Sequence, residues 1–183
     1  MAIPESSLSE TSLFNDYVIG GNIMGRGHTF FDREFGRPDY DPNDQGSFEH
    51  GLVFVAMPFR EEMMDVYSAI TDECKKLGLK TIRVDENVGA GLIIREIIDF
   101  IERAEFIVFD LTYENPNVYY ELGYAHGVGN EPLDILLIAK KGTKIPFDIA
   151  PFRIQFYKTT EHLRSLISSN LNDMILRTRE ERA

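Results

Sequence analysis

From residue 52 onward the apolar positions follow two distinct rhythms. LVFVAM (52–57) is a short unbroken apolar run, the pattern of a strand buried on both faces. Over 61–77 the apolar residues Met63, Val66, Ile70, Cys74 and Leu77 recur every three or four positions, and Gly78 follows, which predicts an amphipathic helix with a glycine stop. LKTIRV (79–84) predicts a second strand. A second helix is expected over 92–103, turning Ile93, Ile94, Ile97, Ile98 and Ile101 toward the sheet, and EFIVFDL (105–111) is the third strand, with Asp110 at its carboxyl end. Asn115-Pro116-Asn117 opens a third helix: Asn115 is suited to the N-cap, and Pro116 occupies a first-turn position that needs no N–H. Gly127 and Gly129 close it. LDILLIA (133–139) and FRIQFY (152–157) predict strands four and five, and 161–176 a last helix built on Leu163, Leu166, Ile167, Leu171 and Ile175.

Strands this apolar cannot face water on either side, and they alternate with helices. The expectation is an α/β fold, a doubly wound five-stranded parallel sheet of order 2-1-3-4-5 with helices on both faces. It should occupy residues 51–177. Residues 1–50 are dense in Gly, Pro, Asp and Asn and predict an irregular arm, yet Phe14, Tyr17, Ile19, Phe30, Phe31 and Phe35 imply that part of it packs on the main domain or on a second subunit. The end of the chain, RTREERA, with 178–183 as its tail, is expected to be solvated. No internal repeat is visible.

Charge and composition narrow the function. Thirty acidic residues against nineteen basic ones give a net charge of −11, which repels a nucleic acid polymer but leaves room for a single mononucleotide held by an arginine and a few backbone N–H groups. Cys74 has no partner for an intramolecular disulfide, in keeping with a reducing compartment. The N-terminus lacks the basic and apolar blocks of a signal peptide and no apolar stretch is long enough to cross a bilayer, so a cytoplasmic protein with no membrane partner is expected. His28, His50, His126 and His162 have no metal-ligand spacing, and no metal or cofactor is expected. Gly20-Gly21 and Gly25-Arg26-Gly27 resemble a nucleotide loop only superficially, because no buried strand precedes them.

Ligands of doubly wound sheets bind where the strand order reverses, here beyond the tips of strands one and three, which carry Met57-Pro58-Phe59-Arg60 and Asp110-Leu111-Thr112. Glu121 is only about one and a half turns into the third helix, and its side chain leans back toward the helix start, so both acids can face one pocket. Each has a plainer alternative. Asp110 could cap the turn that follows its strand, and Glu121 could be a surface glutamate paired with a Lys or Arg. Tyr113, Tyr119, Tyr120 and Phe59 could form a stacking wall or core. Asp85-Glu86 ends strand two, as a turn or as a ribose contact. Asn117 is a capping residue or a ligand contact.

Asp110-Leu-Thr, then Asn115-Pro-Asn-Val-Tyr-Tyr-Glu121-Leu-Gly-Tyr-Ala-His126, with an earlier strand ending in Met57-Pro-Phe59, resembles the nucleoside 2-deoxyribosyltransferase-like family, within the TIR-like and flavodoxin-like nucleotide-binding proteins. The resemblance covers residues 51–157. It implies a flavodoxin-like fold and N-glycosidic bond cleavage or transfer on a nucleoside or nucleotide, with Glu121 as the nucleophile at the anomeric carbon and Asp110 as its partner. It further implies substrate contacts from Met57, Phe59, Arg60, Asp85, Thr112, Asn117 and Tyr120, no cofactor, and a homo-oligomer. Met57-Pro58-Phe59-Arg60 stands where nucleotide hydrolases of this group carry a Gly/Ser-rich phosphate loop; Arg60, Arg83 and Arg95 are candidates to replace it. The same motifs recur in TIR-like proteins that cleave NAD and in others that only bind nucleotides, so an NAD glycohydrolase and a non-catalytic sensor remain alternatives.

Overall fold

A computed structural model describes residues 49–84, 90–128, 130 and 134–181. The N-terminal arm up to residue 48, Asp85, Glu86 and the side chain of Arg95 lie outside the described residues. Five strands, β1 (Glu49–Ala56), β2 (Lys80–Ile82), β3 (Ala104–Asp110), β4 (Ile135–Lys140) and β5 (Ile154–Tyr157), form one sheet in the order β2-β1-β3-β4-β5. Every neighbouring pair is parallel. Four helices connect or follow them: α1 (Met64–Lys76), α2 (Ala90–Arg103), α3 (Pro116–Gly127) and α4 (Thr160–Glu181). This is the expected doubly wound, flavodoxin-like sheet.

Alternation along each strand divides the core into two layers. Val53, Val55, Phe106, Val108, Leu136, Ile138 and Tyr157 face α1 and α4, meeting Val66, Ile70 and Cys74 of the first, with Met63 just before it, and Leu163, Ile167 and Leu171 of the second. Leu52, Phe54, Ala56, Ile107, Phe109, Leu137 and Ala139 face the opposite way, onto Ile101 of α2 and Val118, Leu122 and Ala125 of α3. All seven residues of β3 are buried, as the central strand of a two-faced sheet must be. Burial pushes the Cys74 thiol up to about 12, so it fills space and does not react.

Helix boundaries follow local chemistry. Gly78 takes a φ of +74°, the Leu79 N–H donates to the Cys74 carbonyl at 2.9 Å and the Gly78 N–H to that of Lys75 at 3.1 Å, a Schellman end to α1. Asn115 caps α3 by accepting the Asn117 N–H at 2.9 Å, with Pro116 in the first turn. Two expectations are corrected. Ile94 is 49% exposed rather than turned to the sheet, because it belongs to the opening turns of a helix that starts at the strand tips, above the core. The last helix does not stop at Leu176 but runs to Glu181, with Thr178 buried.

The cause of that extension lies at the amino end of the sheet. Glu105, the second residue of β3, is fully buried yet ionisable. One of its carboxylate oxygens accepts the Gly51 N–H, at a place where the β1–β3 register shifts and Gly51 takes a φ of +78°. Arg179 reaches Glu105 from α4 at 3.4 Å, and His50 lies 3.7 Å away. A buried carboxylate demands partners, and carrying α4 one turn past Leu176 supplies one. Replacing Arg179 by alanine should therefore cost about 1–2 kcal/mol, an exposed-arginine value raised by the buried partner it leaves behind. Urea denaturation of Arg179→Ala beside the exposed-site control Arg177→Ala would measure it, and equal stabilities would contradict the role given to Glu105.

Candidate functional site

At the carboxyl ends of the strands the chain reverses its order between β1 and β3, and the sequence-predicted residues gather there in two groups. The first centres on Asp110, which is fully buried. Its Oδ1 accepts the Thr112 N–H at 2.9 Å, closing the turn after β3, and its Oδ2 accepts the Tyr157 hydroxyl at 3.0 Å. The Thr112 Oγ1 lies 3.3 Å from the Tyr157 hydroxyl and accepts the Lys140 N–H at 3.0 Å. With the Tyr157 proton committed to Asp110, the Thr112 hydroxyl donates to Tyr157. The chain of donors then runs Lys140, Thr112, Tyr157, Asp110 and spans the tips of β3, β4 and β5.

Burial pushes the Asp110 carboxyl above the ordinary carboxylate range, and the hydrogen bonds from Thr112 and Tyr157 pull it part of the way back. Tyr157 is raised as well, by burial first and then by the neighbouring Asp110 charge, so its phenol keeps its proton.

The second group lies on the β1 side. Met57 is buried, Phe59 half-buried and Arg60 exposed. The Arg83 guanidinium sits between the rings of Phe59 and Tyr67, 4.3 Å from each centroid, and contacts the sulfurs of Met57 at 3.9 Å and Met64 at 3.7 Å. Arg83 therefore clamps the loop after β1 onto α1 and β2. Arg60 crosses the switch point to lie 4.5 Å above the ring of Tyr113.

Tyr113 is itself unusual. It has a φ of +69° and Glu114 a φ of +51°, two successive non-glycine residues in the left-handed region, at a cost of order 1–2 kcal/mol each. The Asp110 turn on one side and the Asn115-Pro116 cap on the other leave the chain little alternative, and the Tyr113 ring emerges 45% exposed at the mouth.

Glu121 lies on the sheet-facing stripe of α3 with Val118, Leu122 and Ala125, only 8% exposed, so it is not a surface glutamate. It is the sixth residue of a helix that begins at the mouth. Asp110 shares its side of the sheet with Phe106 and Val108 and faces Tyr157, whereas α3 covers the other side. The two acids thus belong to opposite layers of the fold. Tyr120 is 62% exposed and Asn117 exposed on the outer surface of α3. Tyr119 is half-buried with its hydroxyl unpartnered. Asp85 lies outside the described residues.

Tyr157 is the participant that the sequence reading passed over. A tyrosine ending a buried strand needs a partner for its hydroxyl, and parallel strands bring their carboxyl ends together, so a strand-tip Asp two strands away was the available acceptor. Among the described residues no group of three His, Cys, Asp or Glu could hold a metal ion, and no helix is long and apolar enough to cross a membrane.

This geometry defines a doubly wound α/β protein with its candidate site at the switch point, and comparison with known proteins agrees on the fold. No family model and no curated protein matches the sequence. Among solved structures, a flavo di-iron protein from Thermotoga maritima superposes with a TM-score of 0.55 at 19% identity, over 70% of this chain and 37% of its own. The chain thus spans little more than a third of that protein. The CMP N-glycosidase BcmB of Clostridium botulinum superposes with a TM-score of 0.53 at 15% identity, over 63% of this chain and 96% of its own. At such identities the likeness is one of fold.

Asp110→Ala would leave the Tyr157 hydroxyl and the Thr112 N–H without their acceptor and should cost about 2–4 kcal/mol. Asp110→Asn keeps an acceptor and should cost less. Because folding raises the Asp110 pKa, its contribution to stability is complete below the unfolded value and is lost as pH rises through the folded one. Asn does not titrate, so Asp110→Asn should gain on the parent protein as pH rises above the ordinary carboxylate range, about pH 4. Denaturant titrations at increasing pH test this, and a trend in the opposite direction would mean that the hydrogen bonds outweigh burial.

Proposed function

We propose that this chain cleaves or transfers the N-glycosidic bond of a nucleoside or nucleotide, with Glu121 as the nucleophile. The observation that carries the reading is the position of Glu121, a nearly buried carboxylate on the sheet-facing side of α3, one and a half turns from a helix start that opens onto the switch point. The motif running from Asp110 to His126 supports it, as does the shared fold with a protein described as a CMP N-glycosidase.

In this reading a Glu121 carboxylate oxygen forms a bond to the anomeric carbon as the carbon–nitrogen bond to the base breaks. The base leaves with the bonding electron pair and takes up a proton from water at the mouth. Water, or a second base, then displaces Glu121. A low-dielectric setting strengthens the attraction between the carboxylate and the oxocarbenium-like sugar. Asp110 serves as partner from a distance: its two oxygens are occupied by the turn and by Tyr157, so it fixes the strand tip that presents Thr112 and Tyr113. The exposed Tyr113 ring, backed by Arg60, offers a face for the base, Arg60 a cation for a phosphate, and Phe59, Asn117 and Tyr120 form the rim.

A second reading, nucleotide binding without catalysis, is favoured by that same engagement of Asp110, whose two oxygens are taken by the turn and by Tyr157. Purified protein incubated with nucleosides, their monophosphates and NAD, and assayed by chromatography for released base or nicotinamide, separates the two. Base release that falls by about a thousandfold or more in Glu121→Gln is the expected result. Release that survives the substitution would remove Glu121 from the chemistry. Ligand-dependent thermal stabilisation without any product would assign the protein to binding alone.

A further inference from the structure

At the opposite end of the sheet from the candidate site lies a cavity of about 190 Å³. Its floor is apolar, made by Ile135 and Leu137 at the start of β4 and by Met174 of α4. One side is the ring of Phe152, stacked on His126 at the end of α3 with centroids 4.7 Å apart. Arg153 and Arg177 stand at its rim, with the side-chain amides of Gln155 and Asn170 beside them.

The two arginines are set apart by what the others do. Every other arginine whose side chain is described is engaged: Arg103, Arg164 and Arg179 pair with carboxylates, and Arg60 and Arg83 lie on aromatic rings. Among the described residues Arg153 and Arg177 make no ion pair, hydrogen bond or ring contact, although the chain carries eleven more negative than positive charges. Asp173 lines the same cavity and pairs with neither. Two exposed guanidinium groups above an apolar floor make a site that suits an anion at its rim and an apolar group below. The Asn170 Nδ2 donates one hydrogen bond to the Leu166 carbonyl at 2.8 Å, which fixes the amide at the cavity wall.

We propose that this cavity is a binding site for a small organic anion, a carboxylate or phosphate monoester carrying a compact apolar body, held by Arg153 and Arg177. A cavity of about 190 Å³ is on the scale that holds a single substituted ring. This site stands independently of the chemistry assigned to Glu121.

The test uses the isotope-labelled full chain, followed by heteronuclear NMR during titration with benzoate, phenyl phosphate, inorganic phosphate and benzyl alcohol. Benzoate or phenyl phosphate should shift the Gln155 and Asn170 side-chain amides and the His126 ring saturably. Inorganic phosphate, which lacks the apolar body, and benzyl alcohol, which lacks the charge, should each bind about tenfold more weakly or not at all. Arg153→Gln and Arg177→Gln should each weaken binding by about tenfold. Both residues are exposed, so thermal stability should stay unchanged and serve as the folding control. Shifts that fail to saturate, equal shifts with benzyl alcohol, or parent-like binding in the double variant would each overturn the proposal.

Discussion

The carboxyl edge of this sheet depends on one buried carboxylate. Asp110 sits with no exposed surface at the tip of the central strand, and the hydrogen bonds that make this tolerable come from two places, the turn that follows it and the end of β5. A buried ionisable group without such partners would cost several kcal/mol. Its need for donors therefore draws Thr112 into a turn, brings the β5 tyrosine across the top of β4, and has Thr112 hold the first N–H that β4 leaves free. Strand tips that would otherwise fray are tied into one rigid rim, and everything at the mouth is referenced to it.

The rim also accounts for the one strained stretch of backbone described. A turn begun by Asp110 and ended by the Asn115-Pro116 cap has too few residues to relax, so Tyr113 and Glu114 take left-handed conformations that side chains disfavour. The strain is sustained because the hydrogen-bonded chain below and the helix cap above both outweigh it. Its result is an aromatic ring exposed at the point where the chain order reverses, with Arg60 laid over it from the loop that follows β1.

Much of the fold could be read directly from the chain. Runs such as Val53 to Ala56 and Phe106 to Phe109 have no polar face, and only a sheet covered on both sides accepts them; given that, handedness leaves few topologies. The caps at Gly78 and Asn115 were equally plain, because each rests on one residue type with one local job. What could not be read depends on tertiary partners. Nothing in RTREERA by itself indicates that Arg179 has a buried Glu105 to answer, or that α4 must continue to reach it. The helical spacing of Ile94 matches that of Ile98, but spacing cannot tell where along its length a helix leaves the core. At the site, the two uses foreseen for Asp110 were a turn cap and a reactive acid; the geometry displays the cap, and Tyr157 as a second claimant on the same carboxylate was not anticipated. The left-handed pair at 113 and 114 had no glycine or asparagine to announce it.

The sheet ends on both sides in strands of very modest length, three residues in β2 and four in β5. A neighbouring polypeptide seeking to lengthen the sheet would find only a few unpaired amides on either border, with a lysine at the start of one of them. Brevity of this kind disfavours growth by adding strands, the route to fibres. Among the described residues, self-association is then left to side chains and helix surfaces rather than to main-chain ladders.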